Sequence, residues 1–217
     1  MHVYLVRHGE TLWNHEGKTQ GAKDIPLTER GVLQAEILAE RLEMEGISKI
    51  YSSGLKRAFQ TASIIGDKLD LPVEKKQGLN EINFGIWEGL TRQEIGLNYP
   101  GQLESYRSDF GFAPKNGENL RSLQVRINTF LDCLIDDYGN TDKRILVVAH
   151  AYPIRILIMT LMGLPKELIW RYQLSNTGIS IIRIKSQLNF ENDSTYSESS
   201  YLLCLNDTAH LDKTYFL

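Results

Sequence analysis

Five side chains, far apart in the sequence, have the types needed for one reaction: Arg7 and His8, Arg57, Glu81 and His150. The first two end an apolar run, Val3-Tyr4-Leu5-Val6, and lead into Gly9-Glu10-Thr11. A neutral imidazole can attack phosphorus and carry a phosphoryl group. Two guanidinium groups and two imidazoles in one pocket call for an anion, and arginine's planar fork matches phosphoryl oxygens bidentately. The leaving alcohol then needs a proton. A carboxylic acid kept protonated near neutrality supplies it and later takes one back from water. Glu81 is the candidate, set near Leu79 and Ile82 in an irregular segment without adjacent lysines. The rival readings are a structural histidine at a strand end for His8 and a solvated or capping carboxylate for Glu81.

These residues can meet only if the chain brings strand ends together. His2–Val6, Ile47–Ser52 and Arg144–Ala149 read as short buried strands, and each runs into a polar cluster: Arg7-His8, Ser52 to Arg57, and His150. Thr28 and Asn119 can cap helices that follow them, Leu55 to Leu69 carries a helical apolar face, and further helix is expected over Thr91–Leu97 and Ile154–Met162. Strands are expected at Gly178–Ile184 and Tyr201–Leu205, with a polar turn over Phe190–Ser200. The alternation predicts an α/β fold, a three-layer sandwich with a mostly parallel central sheet and helices on both faces. In such sheets ligands sit beyond the carboxyl ends of the strands. Nothing divides residues 1–217, so one domain is expected. Its least periodic part, Gln102 to Asn119, reads as a loop within a lid around 98–119. Tyr99, Tyr106, Phe110 and Phe112 either grip an apolar part of the substrate or simply pack that lid.

Composition narrows the partners. The 217 residues carry a net charge of −3, with no basic stripe for nucleic acid. No apolar run reaches membrane-spanning length. A cytoplasmic location and a small phosphorylated substrate are therefore expected, with neither nucleic acid nor membrane as partner and a homodimer possible. A divalent metal is disfavoured by two arginines at the site and the lack of a carboxylate–histidine ligand set. Cys133 and Cys204 stand among apolar neighbours and read as buried, inert thiols. Trp87 and Trp170 read as core, and His2, His15 and His210 as ordinary histidines without supporting partners.

An ordered set of motifs resembles the histidine phosphatase (phosphoglycerate mutase-like) superfamily. They are Arg7-His8-Gly9-Glu10-Thr11 with Trp13-Asn14, Gln20-Gly21 with Asp24 and Pro26-Leu27-Thr28, and Ser52-Ser53 with Lys56-Arg57-Ala58 and Gln60-Thr61-Ala62. Leu79-Asn80-Glu81-Ile82 with Phe84-Gly85 and Trp87-Glu88-Gly89 follows, then Gly117-Glu118-Asn119 and Ala149-His150. The resemblance implies a phosphoglycerate mutase-like fold and a metal-independent phosphomonoesterase with no cofactor. It implies a phosphohistidine on His8 and a phosphate pocket of Arg7, Arg57 and His150, with Glu81 as proton donor. Asn14, Gln20 and Gly21 are implied as further substrate or phosphate contacts. The short broad-specificity and ribazole-phosphate phosphatases look nearer than the cofactor-dependent mutases. Mutase-type transfer is the alternative activity, and a non-catalytic phosphate-binding protein the next. One departure stands out: where the family usually has Gly after the second histidine, Ala151-Tyr152-Pro153 follows His150. Ala151 can still offer its backbone N–H to phosphate.

Overall fold

The structure, a computed structural model, describes residues 1–185 and 200–211. Among the described residues six strands form one sheet in the order β3-β2-β4-β1-β5-β6. They are β1 (His2–Arg7), β2 (Ile47–Ser52), β3 (Val73–Lys75), β4 (Arg144–Ala149), β5 (Ile179–Ile184) and β6 (Ser200–Asp207). The β3-β2-β4-β1 portion is parallel, and β5 and β6 continue it antiparallel. The α/β sandwich and the mainly parallel sheet are as the alternation predicted. The short β3 follows Pro72 and spans three residues, too few to show a period in sequence.

Alternating side chains of the central strands feed two cores. After a one-turn α1 (Leu12–His15), the chain forms α2 (Glu29–Leu42) and α3 (Lys56–Leu69), under which Tyr4, Val6, Ile50, Leu146 and Val148 pack. Val3, Leu5, Ile145 and Val147 pack against α6 (Leu120–Tyr138) and α7 (Ala151–Met162) on the other face. Both expected caps are in place, and Thr91, expected inside its helix, is a third. Thr28 accepts from the Gly31 N–H, Asn119 from the Ser122 N–H, and Thr91 forms a capping box with Glu94 at the start of α4 (Arg92–Asn98).

Three expectations are corrected. The segment after Tyr99 is not all loop: Gly101, at φ 78°, turns the chain into α5 (Gln102–Ser108). Only two turns long, and with Tyr106 its one buried residue, α5 has too little apolar periodicity to read. Helix α7 begins at Ala151 rather than Ile154, because Pro153 sits in the first turn, where no intrahelical N–H is needed. Cys133 is exposed and Cys204 half-buried. Leu131, Leu134 and Ile135 take the inward stripe of α6, which turns Cys133 to solvent. The expected turn over Phe190–Ser200 lies outside the described residues up to position 199, and Ser200 opens β6. Among the described residues, no helix is long and apolar enough to cross a membrane.

Gly9 has a packing reason to follow His8. A Cβ there would lie 2.4 Å from the carbonyl oxygen of Gly31, and one on Gly31 would lie 2.1 Å from the carbonyl oxygen of Glu10. The turn after β1 thus rests backbone to backbone on the first turn of α2, and only two glycines allow that approach.

Candidate active site

Register brings the three polar clusters together. β4 lies between β1 and β2, pairing Arg7 with Ala149 and Ser52 with Val148. One residue further, the His8 N–H donates to the Ala149 carbonyl and the Ser53 N–H to the Val148 carbonyl, each at 3.0 Å. His8, Ser53 and His150 therefore leave the sheet side by side, and the imidazole centroids of His8 and His150 stand 5.1 Å apart. A cleft of about 440 Å³ opens above them, lined by Arg7, His8, Asn14, Gln20, Gly21, Arg57, Glu81 and Ala151 among others.

Hydrogen bonds fix which nitrogen of each histidine carries the proton. His8 Nδ1 lies 2.7 Å from the Gly9 carbonyl oxygen. A carbonyl can only accept, so Nδ1 is protonated and Nε2 keeps its lone pair. His150 is wired the other way. Arg57 Nε donates to its Nδ1 at 3.1 Å, so the proton is on Nε2, which donates to Ser53 Oγ at 2.8 Å. Ser53 Oγ in turn donates to Asn80 Oδ1 at 2.8 Å. Both nitrogens of His150 are thus engaged, and it stands behind the cleft rather than among its lining residues. Burial first, then the charges of Arg57 and Arg7, holds His8 well below the usual imidazole pKa. Burial and Arg57 do the same to His150. Both rings are neutral at neutral pH.

The two arginines are aimed by backbone carbonyls. Arg57, on the first turn of α3, donates from Nη1 to Lys23 O at 2.7 Å and from Nη2 to Gly21 O at 2.8 Å. Gly21 adopts φ 54°, and a Cβ there would lie 2.1 Å from Glu88 Oε1. Arg7 donates from Nη1 to Leu174 O at 2.7 Å, while its buried Nε has no partner. Burial lowers both guanidinium pKa values to about 10, which leaves them charged at neutral pH. Glu81 lies in the same cleft and responds oppositely. Burial raises its carboxyl pKa, with Arg57, the Ile82 N–H and Arg7 pulling against it. One oxygen accepts the Ile82 N–H at 3.0 Å. Among the described residues no group of three or more His, Cys, Asp or Glu could hold a metal ion.

The sequence reading missed the residues that brace this set. Asn14 Oδ1 accepts from the Thr11 N–H and from Asn176 Nδ2, each at 3.2 Å, and from Thr11 Oγ at 3.1 Å. With its oxygen so engaged, the amide can turn only its NH2 to the cleft. Asn176 Nδ2 also donates to the His8 carbonyl at 2.8 Å, and the Thr177 N–H donates to the Arg7 carbonyl at 2.9 Å. Asn206, at the end of β6, accepts the Ser175 N–H at 2.7 Å and holds that loop in place. His210 is not partnerless, since its Nε2 lies 3.2 Å from Thr177 Oγ1. Arg126 forks onto Glu118 at 2.9 and 3.0 Å and donates to the Glu81 carbonyl at 3.2 Å. Asparagine has strong local roles in turns, and nothing local marks Asn176 as different. Replacing it by Asp keeps its size but sets a carboxylate against two acceptor oxygens. Asn176→Asp is expected to lower kcat/KM about tenfold or more, the scale of one broken buried hydrogen bond, with a control for folding by thermal denaturation.

The aromatic residues divide between core and cleft. Trp87, Phe84 and Tyr106 are buried in the core yet also line the cleft with Tyr152 and Trp170. Tyr106 stands edge-on to Trp87 at 5.5 Å and to Trp170 at 6.0 Å. Tyr106 therefore both packs the core and faces the cleft. Tyr99, Phe110 and Phe112 are packing residues that do not line it.

A mainly parallel sheet whose strand ends bring a histidine, two guanidiniums and a buried carboxyl of raised pKa to one cleft has the groups that phosphoryl transfer calls for. The chain belongs to the histidine phosphatase superfamily (branch 1), whose pattern it matches over residues 3–191. It is similar to phosphoserine phosphatase 1 of Hydrogenobacter thermophilus, 33% identical over 98% of this chain and 95% of the relative. It is also similar to a probable phosphoglycerate mutase, GpmB, of Yersinia pestis, 35% identical over 98% of this chain and 95% of the relative. Among solved structures, a phosphoserine phosphatase mutant of Entamoeba histolytica in complex with phosphoserine superposes with a TM-score of 0.81. It is 32% identical, over 97% of this chain and 98% of that one.

Proposed function

We propose that the hydrolysis of small phosphorylated metabolites, which family membership gives this chain, runs by double displacement through His8. The observation that carries this is the bare Nε2 of a neutral His8, whose other nitrogen is tied to Gly9, in a cleft shared with Arg7, Arg57 and Glu81. Nε2 attacks phosphorus, and the bond to the leaving oxygen breaks as Glu81 delivers its proton to that oxygen. Arg7 and Arg57 carry the charge on the equatorial oxygens. Further donors are the Asn14 NH2, Gln20 and the backbone N–H of Ala151, which opens α7 where helix N–H groups lack intrahelical partners. His150 adds a neutral donor whose hydrogen bond to Ser53 can be exchanged for one to a phosphoryl oxygen. Water, deprotonated by the Glu81 carboxylate, then attacks the phosphohistidine. Phosphate leaves and His8 is regenerated.

In this reading residues 98–119 serve as a lid within a single domain. Leu103, Tyr106 and Arg107 of α5 line the cleft, and Gly85, at φ 52°, lets the far end of the segment close on it. A Cβ at Gly85 would lie 2.2 Å from the Lys115 carbonyl oxygen. Relatives named as phosphatase and as mutase both align over nearly the whole chain, so length does not separate the two activities. Access of water does. Arg92 and Arg107 line the cleft yet stay exposed to solvent, which supports hydrolysis. The test is incubation with 3-phosphoglycerate and with p-nitrophenyl phosphate, scoring free phosphate and isomerised 2-phosphoglycerate separately. Phosphate release in excess supports the phosphatase. Isomer in excess of phosphate establishes the mutase instead.

A further inference from the structure

Thr177 is fully buried and adopts φ 54°, a left-handed conformation that a β-branched residue keeps only when its surroundings force it. Its turn faces the end of β1. The Thr177 N–H donates to the Arg7 carbonyl at 2.9 Å, and Asn176 Nδ2 to the His8 carbonyl at 2.8 Å. The Leu174 carbonyl accepts from the Arg7 guanidinium at 2.7 Å. Residues 174–177 therefore set the backbone of Arg7 and His8 and the direction of one guanidinium.

What holds this turn comes from the far end of the chain. β6 runs antiparallel to β5 and brings Asn206 and His210 against the turn. Asn206 Oδ1 accepts the Ser175 N–H at 2.7 Å, and its Nδ2 donates to Ser175 Oγ at 3.2 Å. Only a glycine at 178 allows that approach, since a Cβ there would lie 2.2 Å from Asn206 Oδ1. His210 reaches the strained residue itself. Thr177 Oγ1 gives its single proton to the Asn176 carbonyl at 2.8 Å, so it accepts from His210 Nε2 at 3.2 Å. His210 Nδ1 is then the unprotonated nitrogen, buried without a partner. Burial holds the ring below the ordinary imidazole pKa, against the pull of Asp207. Neither Thr177, Asn206 nor His210 lines the cleft.

We infer that His210 is a positioning residue for phosphoryl transfer: through Thr177 it holds the turn that sets Arg7 and His8, so the chain after β6 serves the reaction from outside the cleft. This rests on the reading of His8 as nucleophile. Without the His210 donor, Thr177 is free to relax toward negative φ, which displaces the peptide that holds Arg7. A small displacement at position 8 misaims Nε2 on phosphorus, whereas phosphate binding, shared among several donors, tolerates it.

The test compares His210→Leu with His210→Gln. Leu removes the donor, while the Gln amide can place an N–H where Nε2 stands. His210→Leu should lower kcat about tenfold, the scale of one buried hydrogen bond, with KM little changed. The loss should be equal on p-nitrophenyl phosphate and on alkyl esters, because the nucleophile rather than the general acid is displaced. Rapid-quench should show phosphoenzyme formation slowed by the same factor. His210→Gln should recover most of the lost rate. Thr177→Val keeps the branched shape and removes Oγ1; it should cost as much as His210→Leu, and the double variant no more than either alone. Thermal denaturation shows that each rate is read on folded protein, and should Thr177→Val not fold, the two His210 variants decide. Losses that multiply in the double variant, a Gln variant no better than the Leu variant, or kcat unchanged in His210→Leu overturn the inference and leave the His8 reading standing. Wild-type turnover without a phosphoenzyme overturns the His8 reading, and this one with it.

Discussion

His8→Ala is expected to lose turnover by about 10⁴-fold or more on every phosphomonoester, a rise in barrier of about 5 kcal/mol. The size follows from what remains. Arg7 and Arg57 would still bind phosphate, each held by backbone carbonyls rather than by His8. KM should therefore change much less than kcat, the signature of an interaction made on the reaction path rather than in binding. The backbone around position 8 is held independently, by Ala149 and Asn176, so the variant should remain folded. Rapid-quench with labelled substrate gives the second readout. The wild type should form an acid-labile, protein-bound phosphate, and the variant none. Retention of more than about a hundredth of the wild-type rate would sink His8 as nucleophile.

The second large effect depends on the leaving group. Glu81→Gln should slow alkyl phosphates by about 10²–10³-fold, within the usual range for general-acid catalysis. p-Nitrophenyl phosphate should be much less affected, since its phenolate leaves without a proton. The pH profile separates the roles further. The nucleophile must be neutral, so activity exists above the His8 pKa and is lost as pH falls through it. Burial and two arginines depress that pKa, and the acid limb should lie well below the ordinary imidazole range. The general acid must be protonated, so alkyl ester hydrolysis is lost as pH rises through the Glu81 pKa. Burial raises that pKa, and the alkaline limb should lie above the ordinary carboxylate range. Glu81→Gln should abolish the alkaline limb on alkyl esters and leave the acid limb in place. Equal losses on good and poor leaving groups would argue against Glu81 as acid.

The elements that carry the site were legible because each has a local cause. Buried strands show as apolar runs, and helix starts show as Thr28 and Asn119, whose side chains satisfy free N–H groups whatever lies elsewhere. Cys133 was misread for the opposite reason. Its neighbours are apolar, but only the rotational setting of α6 against the sheet decides which of them face inward. The helix α5 was hidden because its one buried anchor, Tyr106, is held by Trp87 and Trp170 rather than by partners on its own helix.

The sequence by itself determined the chemistry available: a histidine after a strand, two arginines, a carboxyl in apolar company and a second histidine, each beside a turn. Only the tertiary structure decided how those groups are wired. The tautomer of His8 depends on the Gly9 carbonyl, the direction of the Asn14 amide on Asn176, and the state of Glu81 on how much water the folded cleft excludes. Hydrogen bonding, desolvation and charge repulsion act through space over a few ångströms, and a linear sequence does not hold those distances until the sheet sets its register.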